Sequence, residues 1–343
     1  MQQKERLHYF DVIKGIAIFM VVMGHVLRLC MSDMGDCVPF RLIGAIHMPL
    51  FFFISGWFSY KVLPNGCIAR PNLGKRFMQL ILPTFVVGGL YILAYNSLGL
   101  YRHSDTSLEW FWMSASKKGY WFTVALFEIT LIYALIAPLL HKIKRAWMAL
   151  CASLILSVAI IAAGKVSPIL EGPLEFNPVG HYLFTFLIGV LAKRHKDSFE
   201  RMIHNEWVMT LAFIIVAGCL SVSVLDPQIS NSTMFILHLP LAMIAISVIR
   251  TWTNASYESA QGPSLFLRLW IYLGRNSLGI YLLHYFMLFP MHNVETWIQP
   301  MLPGFVPTAL VAIIGAAAIT CSTCMVIELI RPSKILSRIL TGT

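Results

Sequence analysis

Apolar runs close to 20 residues long recur along the whole of this 343-residue chain, and they leave little freedom over what it can fold into. A bilayer core about 30 Å thick takes roughly 20 residues of helix to cross, and inside it every backbone N–H and C=O must be satisfied by the chain itself. Only helices and closed barrels meet that condition. The strict apolar–polar alternation of a barrel strand is absent, so the spans read as helices. Composition agrees: 57% of the residues are hydrophobic and 12% charged, where a soluble domain has about 25% charged. The expected fold is an all-α polytopic membrane protein of about ten transmembrane helices. They are placed at 10–31, 42–60, 77–97, 120–140, 147–163, 178–192, 205–225, 233–250, 269–289 and 305–330. Residues 1–343 are read as a single transmembrane domain. The first apolar segment is too long for a signal peptide, and no small-residue cleavage site follows it.

The formal net charge of +10 raises the question of nucleic acid, but the basic residues sit in short loops between apolar runs. Eighteen of the 26 Lys and Arg fall in one set of loops, among them Lys61, Arg70, Lys75, Arg76, Lys142, Lys193, Arg194 and Arg331. Six lie on or near the other side. By the positive-inside rule both termini are cytoplasmic, and no nucleic-acid partner is expected. The segment 98–119, with Trp110 and Trp112, reads as an aromatic belt at the outer interface. The seven cysteines have no metal-ligand spacing, so no metal is expected. Cys30 and Cys37 flank the first outward turn and leave a disulfide open.

Within the first span, Lys14 and His25 are two groups that hydrocarbon should expel. Eleven residues at about 100° each return to within about 20° of the same face, and the rise puts the groups roughly 16 Å apart. An ionisable side chain costs about 2.5–3.5 kcal/mol at a helix centre on insertion scales, so such a pair marks a functional site by default. Counting rise along each span puts His25 and His284 about 22 Å from the cytoplasmic side, with His47 about 8 Å below the outer surface. Three histidines thus share one level. His25 suits a general base, because neutral imidazole accepts a proton near physiological pH. Asp11 lies on nearly the same face, either paired with Lys14 or acting directly. Lys14 is an anion anchor or a snorkelling lysine. Glu128, near mid-bilayer, must be protonated or paired. Ser277 and His284, seven residues apart, share a face, whereas Arg275 suits anion binding or an inter-helix ion pair. The pairs Lys14 with His25 and Arg275 with His284 echo each other, but nine residues put the second pair on opposite faces of one continuous helix.

The run from Asp11 through Lys14 to Gly24-His25 resembles the opening of the acyltransferase-3 family of integral membrane acyltransferases. Its mark is a basic residue and a histidine separated by ten positions in the first span. His47-Met-Pro-Leu-Phe-Phe-Phe-Ile-Ser55-Gly56 is similar to the family's second-span signature. Tyr120-Trp121-Phe122 resembles its fourth-span entry, and Gly274-Arg-Asn-Ser277-Leu-Gly-Ile-Tyr281-Leu-Leu-His284 its late-span element. One departure stands out: family members often have two arginines three apart before the third span, and here Arg76 is followed by Gln79.

The resemblance implies transfer of an acyl group, often acetyl, from cytoplasmic acyl-coenzyme A to a hydroxyl of a carbohydrate or lipid-linked glycan. In that reading His25, His284 and Ser277 are catalytic, while Lys14, Arg70, Lys75, Arg76 and Arg275 hold the acyl-CoA. Asp11, His47, Glu128 and Tyr281 support them. Acyl-CoA is a donor substrate and no cofactor is held; membrane lipids surround the protein, in a bacterial cytoplasmic membrane. The competing class is a transporter or exporter of a glycan or small acid whose path the same polar groups would line.

Overall fold

The computed structural model describes residues 7–31, 38–97, 119–166, 176–225, 230–259, 262–289, 291–298 and 306–342. The belt residues Trp110 and Trp112, and Cys37, lie outside them. Cys30 is a buried free thiol. Among the described residues the structure is helical apart from turns and one isolated β-bridge, Val62 with Ile68. In chain order the first helices are α1 (His8–His25), α2 (Val38–Ser59), α3 (Leu73–Arg76), α4 (Leu82–Ser97), α5 (Trp121–Lys142), α6 (Ala146–Val166) and α7 (Phe176–Arg194). Then come α8 (Lys196–Ile203), α9 (Glu206–Leu225), α10 (Ser230–Glu258), α11 (Leu265–Arg275) and α12 (Ser277–Leu283). The chain closes with α13 (His292–Ile298), α14 (Val306–Ile330) and α15 (Lys334–Thr341).

Each of the ten expected spans coincides with helix, but the helices differ in kind. Seven are long and apolar enough to cross a membrane, or eight if α8 and α9, bent by 67° at their junction, make one span. The other two are α7, with Lys193 and Arg194 in its last turn, and the segment from α11 through α12, which is broken. Asn276, at φ −99° and ψ 9°, leaves α-geometry between Arg275 and Ser277. A 3-10 turn, His284–Met287, then follows α12. The ninth expected span is therefore two short helices and a turn. The chain is a multi-pass membrane protein, and its exposed apolar side chains, such as Leu135, Ile155 and Ile314, are the surface that hydrocarbon would cover.

The helices group into two compact units. One comprises Met1–Phe51 and Glu200–Leu329, the other Phe52–Phe199 and Ile330–Thr343. In the first, α1 packs mainly along α11 and also meets α10 and α12. The α1–α11 contact is backbone on backbone. A Cβ on Gly15 would lie 2.0 Å from the Trp270 carbonyl oxygen, and one on Gly274 only 1.7 Å from that of Asp11. Without a hydrophobic force to join helices in lipid, such small-residue seams let van der Waals contact do the work. The start of α11 is set by Ser264, whose hydroxyl accepts from the Leu267 N–H.

In the second unit the same device recurs, with a Cβ on Gly56 falling 1.9 Å from the Phe186 carbonyl oxygen and one on Gly189 falling 2.0 Å from that of Phe53. Two of the basic residues assigned to topology have structural work here. Arg194 donates to the Leu140 and His141 carbonyls at 2.9 and 3.0 Å, satisfying the C-terminus of α5. Lys193 lies 5.1 Å above the Trp57 ring.

Gly274→Ala must push α1 and α11 apart, because the obstructing atoms are backbone. We expect it to destabilise the folded protein by about 1–3 kcal/mol or more, read as a lower thermal midpoint in detergent. Gly44→Ala, with nothing within 4 Å of the new Cβ, should leave the midpoint unchanged or slightly raised.

Candidate functional site

The polar groups of the first unit gather at two places along α1. Near its start, Asp11 is buried, with a side chain 8% exposed, and accepts two cations. Lys14 Nζ is 2.9 Å from one carboxylate oxygen, one helical turn away. Arg275 Nε is 3.7 Å from the other. Both cations are immediate neighbours of the glycines in the seam: Lys14 precedes Gly15 and Arg275 follows Gly274. Helix contact therefore delivers the charges to Asp11. Two cations on one carboxylate leave a positive balance, and Arg275, 45% exposed, is the more open of them.

Fourteen residues further along α1, His25 Nδ1 is 2.7 Å from His284 Nε2, with the rings within 13° of parallel. The tautomers follow from the far end of the chain of bonds. His284 Nδ1 is 2.9 Å from the Ile280 carbonyl oxygen, which can only accept, so this nitrogen bears the proton. In neutral His284 the Nε2 is then a lone pair, and His25 must donate to it through Nδ1–H. That leaves His25 Nε2 as the basic atom. It accepts a hydrogen bond from the Tyr285 hydroxyl at 3.2 Å. His284 is 0% exposed and Tyr285 3% exposed, whereas His25 keeps part of its surface open. The open ring is the one a reactant could reach, and the closed ring orients it.

The phase argument that separated Arg275 from His284 is corrected here. It assumed one continuous helix, and the break at Asn276 resets the phase. The Asn276 N–H is shared between the Tyr272 and Leu273 carbonyls, both at 3.2 Å, and its side-chain amide donates to Tyr272 O at 3.0 Å. Arg275 and His284 consequently meet the same helix, one at Asp11 and the other at His25. The backbone also departs from α-geometry directly after His25, in a π-helical turn at Val26–Cys30. Such turns occur mostly as single insertions in α-helices and frequently at functional sites.

The other expected residues are placed as follows. His47 donates through Nδ1 to the Ile43 carbonyl of its own helix and lies within electrostatic reach of His25. Tyr281 is buried, its ring centroid 6.2 Å from that of His284. Ser277 opens α12, two turns before His284, and no hydrogen bond among the described residues joins it to either histidine. Glu128 is half-buried in α5, in the second unit. Arg70, Lys75 and Arg76 also belong to that unit, where with Lys61, Asn72 and Gln79 they line a cavity of about 430 Å³. Asn72 caps α3 by accepting from the Lys75 N–H at 2.9 Å, which holds Lys75 and Arg76 on one ordered turn. Tyr285 was not anticipated. It follows His284 directly, in the same 3-10 turn, and helical phase, which sets neighbours about 100–120° apart, does not point to it. Among the described residues, no group of three or more His, Cys, Asp and Glu is placed to hold a metal ion.

Residues 7–325 match the sequence model of the acyltransferase-3 family, described as an acyltransferase domain. Nodulation protein NolL of Sinorhizobium fredii is 30% identical over 200 residues, which are 55% of this chain and 52% of that protein. Nodulation protein NolL of Mesorhizobium japonicum is 30% identical over 196 residues, 52% of this chain and 48% of that protein. The chain thus aligns with about half the length of these curated relatives. No solved structure matches it.

The bond order fixes an observable. In ¹⁵N-histidine spectra of the neutral protein, His25 and His284 should both show the proton on Nδ1. His284→Leu removes the acceptor and should release His25 to the Nε2–H form; an unchanged His25 spectrum would refute the assigned relay.

Proposed function

The chain belongs to the acyltransferase-3 family of integral membrane acyltransferases, and from that premise we propose that it moves a short acyl group, acetyl in the simplest case, from acyl-CoA to a hydroxyl of a cell-envelope carbohydrate or lipid-linked glycan. The observation that carries this reading is the His25–His284 pair, a tautomer-locked base on a helix that also bears Lys14. His25 Nε2 takes the proton of the acceptor hydroxyl as its oxygen attacks the thioester carbonyl carbon. The tetrahedral intermediate collapses with cleavage of the C–S bond, and the proton passes from His25 to the departing thiolate. Products are the ester and free coenzyme A. Proton transfer of this kind contributes about 10²–10⁴-fold.

Coenzyme A is a polyanion with a long thin arm. The cavity lined by Lys61, Arg70, Lys75 and Arg76 offers cations to its phosphates, with Arg76 half-buried and already desolvated in part. In the first unit, Lys14 and Arg275 are in excess over Asp11, which keeps the start of α1 positive and suits it to an anion. In this reading the donor enters from the cytoplasmic side, with both termini cytoplasmic, ten spans, and residues 1–343 working as one domain in a bacterial cytoplasmic membrane. The charge asymmetry of the loops supports that orientation.

Purified protein given acetyl-CoA and envelope glycans should release a soluble thiol, and His25→Ala should cut the rate by about 10²–10⁴-fold. Replacing Arg70, Lys75 and Arg76 together by Ala should raise the acyl-CoA KM about ten-fold or more while sparing kcat, as loss of charge-assisted hydrogen bonds to bound donor requires. Labelled acyl-CoA should leave no acylated protein in the absence of acceptor. Movement of a glycan across vesicles with no thiol released would instead make the chain a transporter.

A further inference from the structure

The one basic lone pair of the relay is already occupied by a residue of the protein itself. Tyr285 O–H points at His25 Nε2 from 3.2 Å. Its ring is packed against both histidines, with centroids 4.9 Å from His25 and 4.3 Å from His284, and it is 3% exposed. The hydroxyl is therefore held in place by burial of its ring rather than by the bond it makes. That bond is the longer of the two on His25, against 2.7 Å on the Nδ1 side. Imidazole nitrogen has a single lone pair, so an acceptor hydroxyl can reach the base only by displacing the tyrosine.

We propose that Tyr285 is a specificity-determining residue that reserves His25 for the acceptor and denies it to water. The inference rests on the acyl-transfer reading above and deepens it. A partly exposed base with a vacant lone pair is open to a hydrogen bond from water. That water, next to a bound thioester, is a nucleophile. Its oxygen would attack the carbonyl carbon, its proton would go to His25 Nε2, and the C–S bond would break with the proton passing to sulfur. The products, a free acid and coenzyme A, would waste the donor. Water brings at most a few hydrogen bonds against an internal hydroxyl that loses almost no freedom by staying. A glycan brings contacts along its whole bound length, and those contacts drive the exchange at Nε2. Tyr285 thus couples exposure of the base to the presence of the correct nucleophile.

Tyr285→Phe keeps the ring and removes the hydroxyl. Thiol release from acetyl-CoA is measured with and without acceptor glycan, in wild type, Tyr285→Phe and His25→Ala. The expected result for Tyr285→Phe is a rise of about five-fold or more in the ratio of acceptor-independent to acceptor-dependent release, the factor that one ordinary hydrogen bond supplies. The acceptor KM should fall with it, since the acceptor no longer competes with the hydroxyl. A purely structural role would lower both activities together and raise no ratio. Should the phenylalanine variant fail to fold, 3-fluorotyrosine at position 285 keeps shape and hydroxyl while strengthening the donor, and should lower the ratio and raise the acceptor KM.

An unchanged ratio in folded Tyr285→Phe with acceptor transfer retained overturns the gate and leaves the transfer reading standing. Loss of both activities in folded Tyr285→Phe also overturns it, assigning the hydroxyl to the chemistry itself. Absence of acceptor-dependent thiol release in wild type overturns the transfer reading, and the gate with it.

Discussion

Backbone contact between α1 and α11 at Gly15 and Gly274 is the constraint on which the first unit depends. No side chain fits at either position, because carbonyl oxygens of Trp270 and Asp11 occupy the space a Cβ would need. In lipid, helices gain nothing by hiding apolar surface from one another, and close approach of backbones is one of the few ways to hold them. The seam does more than hold. Each glycine adjoins a cation, so the approach that joins the helices also sets Lys14 and Arg275 about one carboxylate. Electrostatic cost and packing are solved at one place: Asp11 would be expensive alone, and each cation would be expensive alone.

The histidine relay solves a related problem without any charge. A carboxylate partner for His25 would make it a stronger base, at the expense of burying an anion in a low-dielectric region. A second neutral imidazole avoids that. His284 accepts from His25 and passes its own N–H to a backbone carbonyl, so each polar atom in the line has a partner and no net charge is buried. The ring that points outward is then fixed in the tautomer a base needs. When His25 takes up a proton, His284 is positioned to share the resulting charge through the same short bond.

Much of this was legible before any coordinates. The apolar runs located helix at each of the ten expected places, and simple helical arithmetic put Lys14, His25 and Asp11 on one face of α1. Depth and the resemblance of 274–284 to a family element both single out His284. Periodicity failed where the helix stopped being a helix. Treating 269–289 as one continuous span placed Arg275 and His284 back to back, yet the bend at Asn276 turns both toward α1. Tyr285 escaped for another reason: a phenol does not ionise near neutral pH, so charge carried no signal for it, although it meets His25 beside His284. Charge counting had a similar limit: Arg194 and Lys193 obey the positive-inside rule, but their contacts show one closing a helix end and the other resting on an indole.

The departures from regular geometry fall at the histidine pair. A π-helical turn begins directly after His25, and a 3-10 turn begins at His284. In a regular α-helix each carbonyl is used once by its own ladder, and a side chain borrowing it competes with the backbone. At Ile280 the carbonyl serves both the backbone N–H and the Nδ1–H of His284, using both of its lone pairs as the ladder ends. Tyr285 follows in the 3-10 turn and lays its ring against His25. About 100–120° separates adjacent side chains in either kind of helix, and His284 and Tyr285 accordingly reach different nitrogens of the His25 ring. Three residues thus meet around one ring. Neighbours in sequence thereby meet opposite nitrogens of that ring: His284 takes the proton side, and Tyr285 covers the lone pair.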